Sequence, residues 1–399
     1  MILKADRIVT GDGLTVLDNG AVYIAGEKIT EIDELATLKA KYPDSPVKEY
    51  KGASIMPGLI DMHVHVGYWR SQIDAPTYND YKIAYFAADY LKKAFSKGVT
   101  TIRDLGSPKN LSVSINSAVK SGFLEVPRIL PADAPLCFTG GHSHMGNGWE
   151  VNGPWEIRAA IRDLIKRGAQ WIKLMESHRS DTPEFTQEEL DAAVDECHRV
   201  NKKTMVHAGT QPAIQMCIDA GFDTIEHATD LTADQAGQMA EKGIVWVPTI
   251  VAYTQTYKHI MNNLNNLNNE GIDAVTRRFI DQRAYFEKAA ATYKENFRKL
   301  YETGVKIVTG TDLVYYKAPV TPVASEMKYM VEYGMPAIEA IRSATKTSAE
   351  TLRIDDIGEI AVGNIADILI VTGNPVQDID AVENVAEVYQ SGKSVYRAC

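Results

Sequence analysis

Residues 55–66 read IMPGLIDMHVHV, an apolar run that ends in two histidines one residue apart. A short apolar run of this kind fits a buried strand, and strand positions i and i+2 point to the same face. His63 and His65 therefore share a side at the C-terminal end of a candidate strand. Seven further runs follow: Thr100–Leu105, Arg128–Ala132, Trp171–Met175, Thr204–Ala208, Thr224–Ala228, Ile244–Ile250 and Lys306–Asp312. Between them lie stretches such as DYKIAYFAADYLKKAFSKG, PWEIRAAIRDLIKRG and TQEELDAAVDECHRVN. These carry apolar residues at i, i+3, i+4 and i+7, the period of a helix with one buried face. Several close on glycine just before the next run, as helix C-termini do. Eight buried strands, each followed by a helix, predict the α/β class and a (β/α)₈ TIM barrel.

The two ends of the chain follow another pattern. ADRIVT, AVYIAG and KITEID near the start, and IADILIVTGN and AEVYQSGKSVYRA near the end, alternate apolar and polar residues between turn-forming residues. Neither end has enough strands to bury a core alone. Residues 1–56 and 359–399 are therefore expected to build one small β-sandwich, with the barrel, residues 57–358, inserted between them. One connection is unusually long. From Val251 to Gly304 the chain runs through a polar, repetitive NNLNNLNNEG and a helical pattern over Ala274–Thr303. It reads as a solvated excursion or as a lid or subunit contact at the barrel mouth.

The 399 residues carry a formal charge of −10, and 45% of them are hydrophobic. That is the composition of a soluble globular chain long enough to bury a core without staples. The negative charge argues against nucleic acid or an anionic membrane as partner, since phosphate contacts need clustered Lys and Arg. Cys137, Cys197, Cys217 and Cys399 form no CxxC pair, so reduced thiols in a cytoplasmic protein are expected. The opening MILKADRIVTGDG has no signal-peptide pattern, and no apolar run is long enough for a transmembrane helix.

In a barrel of this type the chemistry sits where the strands end. Strand one contributes His63 and His65, strand four Lys173 in WIKLM, strand five His207 in MVHAG, strand six His227 in IEHAT and strand eight Asp312 in VTGTDL. Singly, each has an ordinary structural explanation: a histidine can cap a strand, Lys173 can reach solvent, Asp312 can cap a helix. Together they are hard to keep as unpaired buried polar groups. Metal coordination satisfies them all.

PGLIDMHVH, the strand-four lysine, the two later histidines and TGTD together resemble the amidohydrolase superfamily. The resemblance spans nearly the whole chain, since GEIAVGNIADILIVTGNP is similar to the segment that returns such enzymes to their small β-module. It implies two divalent metal ions, His63, His65 and Asp312 on the more buried one, and His207 and His227 on the more exposed one. It further implies that Lys173, carboxylated by CO₂, bridges both. Burial and cationic neighbours favour the neutral amine that this reaction needs. Zinc suits an imidazole-rich set best, with manganese, iron and cobalt as alternatives. The implied reaction is hydrolysis of an amide bond by activated water, with Asp312 moving the proton to the leaving amine.

Two loops narrow the branch. CFTGGHSHMGNG after strand three and VPTIVAYTQTY after strand seven resemble imidazolonepropionase-related prolidases and Xaa-Arg/Lys dipeptidases. In that branch His142 and Tyr253 would stabilise the oxyanion, with His144 a weaker substrate contact. The chain departs from the branch after strand four. Relatives continue into a small, glycine-rich loop; here it reads MESHRSDTPEF, so that Glu176, His178 and Arg179 would crowd and reshape the pocket. Arg179 could hold a substrate carboxylate bidentately. The expected substrate is a small molecule, a dipeptide or N-acyl amino acid, and the resemblance implies a homo-oligomer. Rival readings are a cyclic amide, imide or lactone hydrolase, a deaminase-like aminohydrolase and a relic without activity. The filled ligand positions oppose the relic. Lys173, and Thr210 where deaminases carry glutamate, oppose the deaminase.

Overall fold

The computed structural model describes residues 1–67, 79–144, 146–177, 182–264, 280–312 and 320–398. The chain divides into two compact units. One comprises Met1–Asp61, Leu91–Thr101 and Val320–Cys399. Its eight-stranded sheet joins both ends of the chain: β1 (Ile2–Val9), β2 (Val16–Asp18), β3 (Gly20–Ala25), β4 (Lys28–Glu34) and β5 (Val47–Pro57) with β15 (Ile368–Thr372), β16 (Val385–Gln390) and β17 (Lys393–Arg397). The order is β17-β16-β15-β5-β1-β3-β4, with β2 paired to β1. The join lies at β5, which pairs parallel with β1 and antiparallel with β15, Ile55 standing opposite Ile370. Alternation along the strands buries Leu3, Ile8, Ile55 and Ile370 in one cluster and Ile2 and Ala21 in another. Helices Val323–Glu332, Ala337–Ser343 and Lys346–Leu352 belong to the same unit.

The expected first barrel strand divides at Gly58. Residues up to Pro57 belong to β5, and β6 (Leu59–Val64) starts afresh. A Cβ at Gly58 would lie 2.3 Å from the Thr100 hydroxyl oxygen, so the chain bends where only glycine passes.

The second unit comprises Met62–Tyr90 and Ile102–Pro319. It receives the ends of β6 and of β7 (Val99–Asp104), which form a three-stranded sheet with β8 (Arg128–Leu130). Next come β9 (Leu136–Phe138), β10 (Trp149–Val151), β11 (Trp171–Met175), β12 (Lys203–Ala208), β13 (Thr224–His227) and β14 (Val245–Val247). They form a six-stranded parallel sheet in the order β10-β9-β11-β12-β13-β14. Every residue of β11, β13 and β14 is buried, as expected for parallel strands covered on both faces. The register aligns the strand ends, with His207 opposite Met175 and His227 opposite Ala208.

The helices that separate these strands follow the sequence pattern closely: Asp80–Ala94, Gly153–Arg167 and Gln187–His198. The last opens on a capping box, Thr186 and Glu189 each satisfying the other's backbone N–H. The strands β9 and β10 were not anticipated, because three residues are too few to show a period. The expected eighth strand also differs. Residues 306–312 form no ladder, only a bridge from Ile307 to Trp246. The segment nevertheless bonds on two sides: Trp246 N–H to the Lys306 carbonyl at 2.8 Å, and Met62 N–H to the Thr309 carbonyl at 2.9 Å. A Cβ at Gly310 would lie 2.7 Å from both His63 Cβ and Val247 Cγ1.

The long connection is no featureless excursion. Ile250–Leu264 is a helix where the seventh strand was expected to end, and Arg283–Tyr301 is another. The second buries Phe286, Ala289, Tyr293, Phe297 and Leu300, one face at helical spacing. Residues 265–279, which hold the start of the single helix expected over 274–303, lie outside the described residues. Among the described residues no helix is long and apolar enough to cross a membrane.

Gly310→Ala is expected to lower unfolding free energy by about 1–3 kcal/mol through overpacking, read as a lower denaturant midpoint. An unchanged midpoint would show that the segment yields freely.

Candidate active site

The site starts from three imidazoles whose inner nitrogens each face an acceptor. His63 Nδ1 lies 2.9 Å from Glu226 Oε2. His65 Nδ1 lies 3.0 Å from the Gly106 carbonyl oxygen. His227 Nδ1 lies 2.7 Å from Thr249 Oγ1, which itself donates to the Pro248 carbonyl at 2.6 Å. A carboxylate, a carbonyl and a hydroxyl oxygen whose proton is already committed can only accept here. Each ring must then carry its proton on Nδ1 and offer its lone pair at Nε2.

Those Nε2 atoms face Asp312. They lie 3.5 Å (His63) and 3.6 Å (His65) from Oδ1 and 3.8 Å (His227) from Oδ2. The donor atoms of His63, His227 and Asp312 all lie within 4.8 Å of one another, as a metal set requires. Burial keeps the rings neutral and so able to coordinate. Burial first, then the charge of Lys173, pushes His65 down to about 4 and His63 well below its ordinary value. His227 falls by burial and by its neighbours His63 and Lys173.

Lys173 stands in the middle of β11 with no exposed surface. Its Nζ has no hydrogen-bond partner among the described residues. Burial pulls its affinity for a proton down to about 8, against the attraction of Glu226 and Asp312 and with help from Arg103. A buried amine in this position carries an unmet cost.

Beneath the histidines lies a buried ion pair that the sequence reading missed. The Arg103 guanidinium donates to the Met62 carbonyl at 2.8 Å, Thr224 Oγ1 at 3.1 Å and Glu226 Oε1 at 2.8 Å. It also lies 4.7 Å over the Trp171 ring. The available signal was a charge inside an otherwise apolar strand run, in TIRDL and again in TIEHA.

The remaining expected residues divide. The His207 ring centroid lies 4.4 Å from both His227 and His142, and it stacks on His142 at 27°. Tyr253 lies 5.6 Å from His227, its hydroxyl held protonated by burial and by Tyr285 and Tyr293. His144 is exposed, and its Nδ1 bonds the Gly141 carbonyl of its own loop at 2.7 Å. Arg179 and His178 lie outside the described residues. Glu176 does not crowd the mouth. It is fully buried, and its Oε2 accepts the Glu184 and Phe185 N–H groups at 3.0 and 2.9 Å. Burial pushes its carboxyl up to about 8.

The backbone is strained at the same place. His227, Ala228, Thr249 and Asp312 have φ of 65°, 49°, 54° and 40°. For residues with a Cβ this costs roughly 1–2 kcal/mol each, and such strain clusters at functional sites.

A family model for the amidohydrolases matches residues 54–395. The chain belongs to the amidohydrolase family. It is a hydrolase of carbon–nitrogen amide bonds, with the family's α/β fold and parallel sheets. Ochratoxinase of Aspergillus niger is 28% identical over 98% of this chain and 86% of its own length. A crystal structure of a Xaa-Pro dipeptidase with methionine bound in its active site is 31% identical, covers 100% and 99% of the two chains and superposes with a TM-score of 0.84. A prolidase in complex with N-methylphosphonate-L-proline is 27% identical over the full length of both chains, with a TM-score of 0.85.

Two outcomes follow for this amidohydrolase. Arg103→Leu leaves the Glu226 carboxylate buried without its cation, so unfolding free energy should fall by about 3–5 kcal/mol, measured by chemical denaturation. A loss under about 1 kcal/mol would mean that the pair is not what holds β6 to β13. Glu176→Gln tests the raised carboxyl. A carboxyl raised in the folded state contributes stability in full below its unfolded value. That contribution is lost as pH rises through about 8. The variant, which cannot ionise, should therefore gain on the wild type as pH climbs from about 4.5 to 8. Parallel stability curves would contradict the shift.

Proposed function

We propose that this amidohydrolase is a binuclear metal enzyme that cleaves the amide bond of a dipeptide, Xaa-Pro first, or of an N-acyl amino acid. The observation that carries the reading is the set of three Nε2 lone pairs facing one carboxylate. Imidazole nitrogens and carboxylate oxygen suit a divalent cation, zinc above others. His63, His65 and Asp312 would hold one ion, and His207 and His227 the second. Lys173 completes the set. In its neutral form the amine would bond to the carbon of CO₂ and release a proton, and the carbamate would offer the ions an anionic oxygen ligand. The lowered proton affinity of that amine supports this step.

When bound, the metals acidify water and polarise the scissile carbonyl. Asp312 takes the proton from the attacking water and returns it to the leaving nitrogen. His142, stacked on His207, and Tyr253, beside His227, donate to the oxyanion. Arg179 is the candidate partner of the substrate carboxylate, whereas the orientation of His144 toward its own loop speaks against a substrate contact. The relatives support the substrate class, since one is named a Xaa-Pro dipeptidase and another was crystallised with a proline phosphonate.

The reading includes a closed (β/α)₈ barrel. The two-sided bonding of residues 306–312 supports one seam, and the bond from Gln170 N–H to the Pro131 carbonyl at 2.8 Å supports the other. It includes a terminal β-sandwich, supported by apolar clusters from alternate residues of β1. The buried free thiols of Cys137, Cys197 and Cys217 fit the reducing cytoplasm.

On zinc-reconstituted protein, a library of dipeptides and N-acyl amino acids should give turnover on Xaa-Pro substrates. Activity confined to cyclic imides or lactones would overturn the substrate class. Asp312→Asn should lower kcat at least about tenfold with metal retained; a smaller effect would remove Asp312 from proton transfer. Lys173→Ala should abolish activity, and short carboxylic acids should partly restore it. Full activity in this variant would end the case for a carbamate.

A further inference from the structure

Tyr293 lies on the helix Arg283–Tyr301, inside the long connection that the reaction itself leaves unexplained. Its ring is buried and stacks near Trp246 at 6.4 Å. Its hydroxyl lies 2.9 Å from the carbonyl oxygen of His227 and 2.7 Å from that of Pro248. Trp246 Nε1 donates to the same His227 carbonyl at 2.9 Å. These carbonyls sit beside the left-handed residues His227, Ala228 and Thr249, conformations that persist only where surrounding bonds over-determine them. The Pro248 oxygen receives Tyr293 on one side and Thr249 Oγ1 on the other, and Thr249 in turn accepts the proton of His227 Nδ1.

We propose that Tyr293 is a positioning residue for the His227 imidazole. The one hydroxyl proton, shared between the two carbonyls, ties the two strained turns together and holds the oxygen that aims Thr249. Thr249 then fixes which nitrogen of His227 is protonated and where its Nε2 lone pair points. The long connection is on this account a buttress for a metal ligand, supplied by a helix remote in sequence. The inference rests on the metal reading above.

Each carbonyl keeps another donor when Tyr293 loses its hydroxyl, so Tyr293→Phe should fold. Outer partners of metal-bound histidines commonly carry 10- to 100-fold of metal affinity. Titration of zinc-loaded Tyr293→Phe with a competing chelator should show one equivalent held about tenfold more weakly than in wild type. The cobalt-substituted variant should show an altered visible spectrum, and kcat should fall with KM little changed. Leu300→Ala, buried on the same helix but bonded to neither carbonyl, should lower Tm and leave the chelator curve in place. A Tyr293→Phe protein with the wild-type chelator curve and cobalt spectrum would overturn the positioning role alone. A wild-type protein that binds no metal would overturn the metal reading together with it.

Discussion

The Glu226 carboxylate is shared between an imidazole and a guanidinium, and all three groups are sealed from water. One oxygen accepts from His63 and the other from Arg103 and Thr224. A buried carboxylate alone would be strongly unfavourable, and a buried arginine alone equally so. Their pairing offsets both penalties, and the guanidinium Nε–H goes to the carbonyl of Met62, the residue before His63. Arg103 therefore fixes the backbone of the ligand strand and the charge behind its ring together. With that acceptor in place, His63 has one stable tautomer, and its Nε2 faces Asp312.

The same economy recurs at the other candidate ligands. A backbone carbonyl sets His65 and a threonine hydroxyl sets His227. The price is visible in the main chain, where four residues at the site hold positive φ. Such geometry survives because packing surrounds it: Trp246 and Tyr293 both bond the His227 carbonyl, and Phe297, on the same helix as Tyr293, lies 5.7 Å from the Trp246 ring. Strain at the candidate ligands and burial in the insertion are thus two sides of one arrangement.

The relatives share almost the whole length of this chain, yet their names refer to different substrates. The acidic and basic loop after strand four looked like the place where pocket chemistry diverges. Part of that difference is internal instead. Glu176 points into the protein and ties down residues 184–185, and the Glu184 side chain holds the N–H of His142 at 2.8 Å. Glu176 and Glu184 together brace the loop that bears His142.

The alternation of eight apolar runs with helical periods was legible because buried parallel strands and amphipathic helices impose periods that a linear string preserves. The ligand-type residues were legible for a related reason: they close those runs, and strand ends converge in any such barrel. Lys173 sits inside its run and stood out as a charge where none should be buried. By itself, then, the sequence determined the α/β class, the strands that carry His63, Lys173, His207 and His227, and the family, whereas the strand expected to end at Asp312 forms no ladder. Tertiary structure decided which nitrogen His63, His65 and His227 offer, the Arg103–Glu226 pair, the burial of Glu176, the bond of His144 to its own loop and the reach of Tyr293 to the His227 carbonyl. Most of these depend on contacts between residues far apart in the chain. Hydrogen-bond geometry has no period, so no pattern along the string could have announced it.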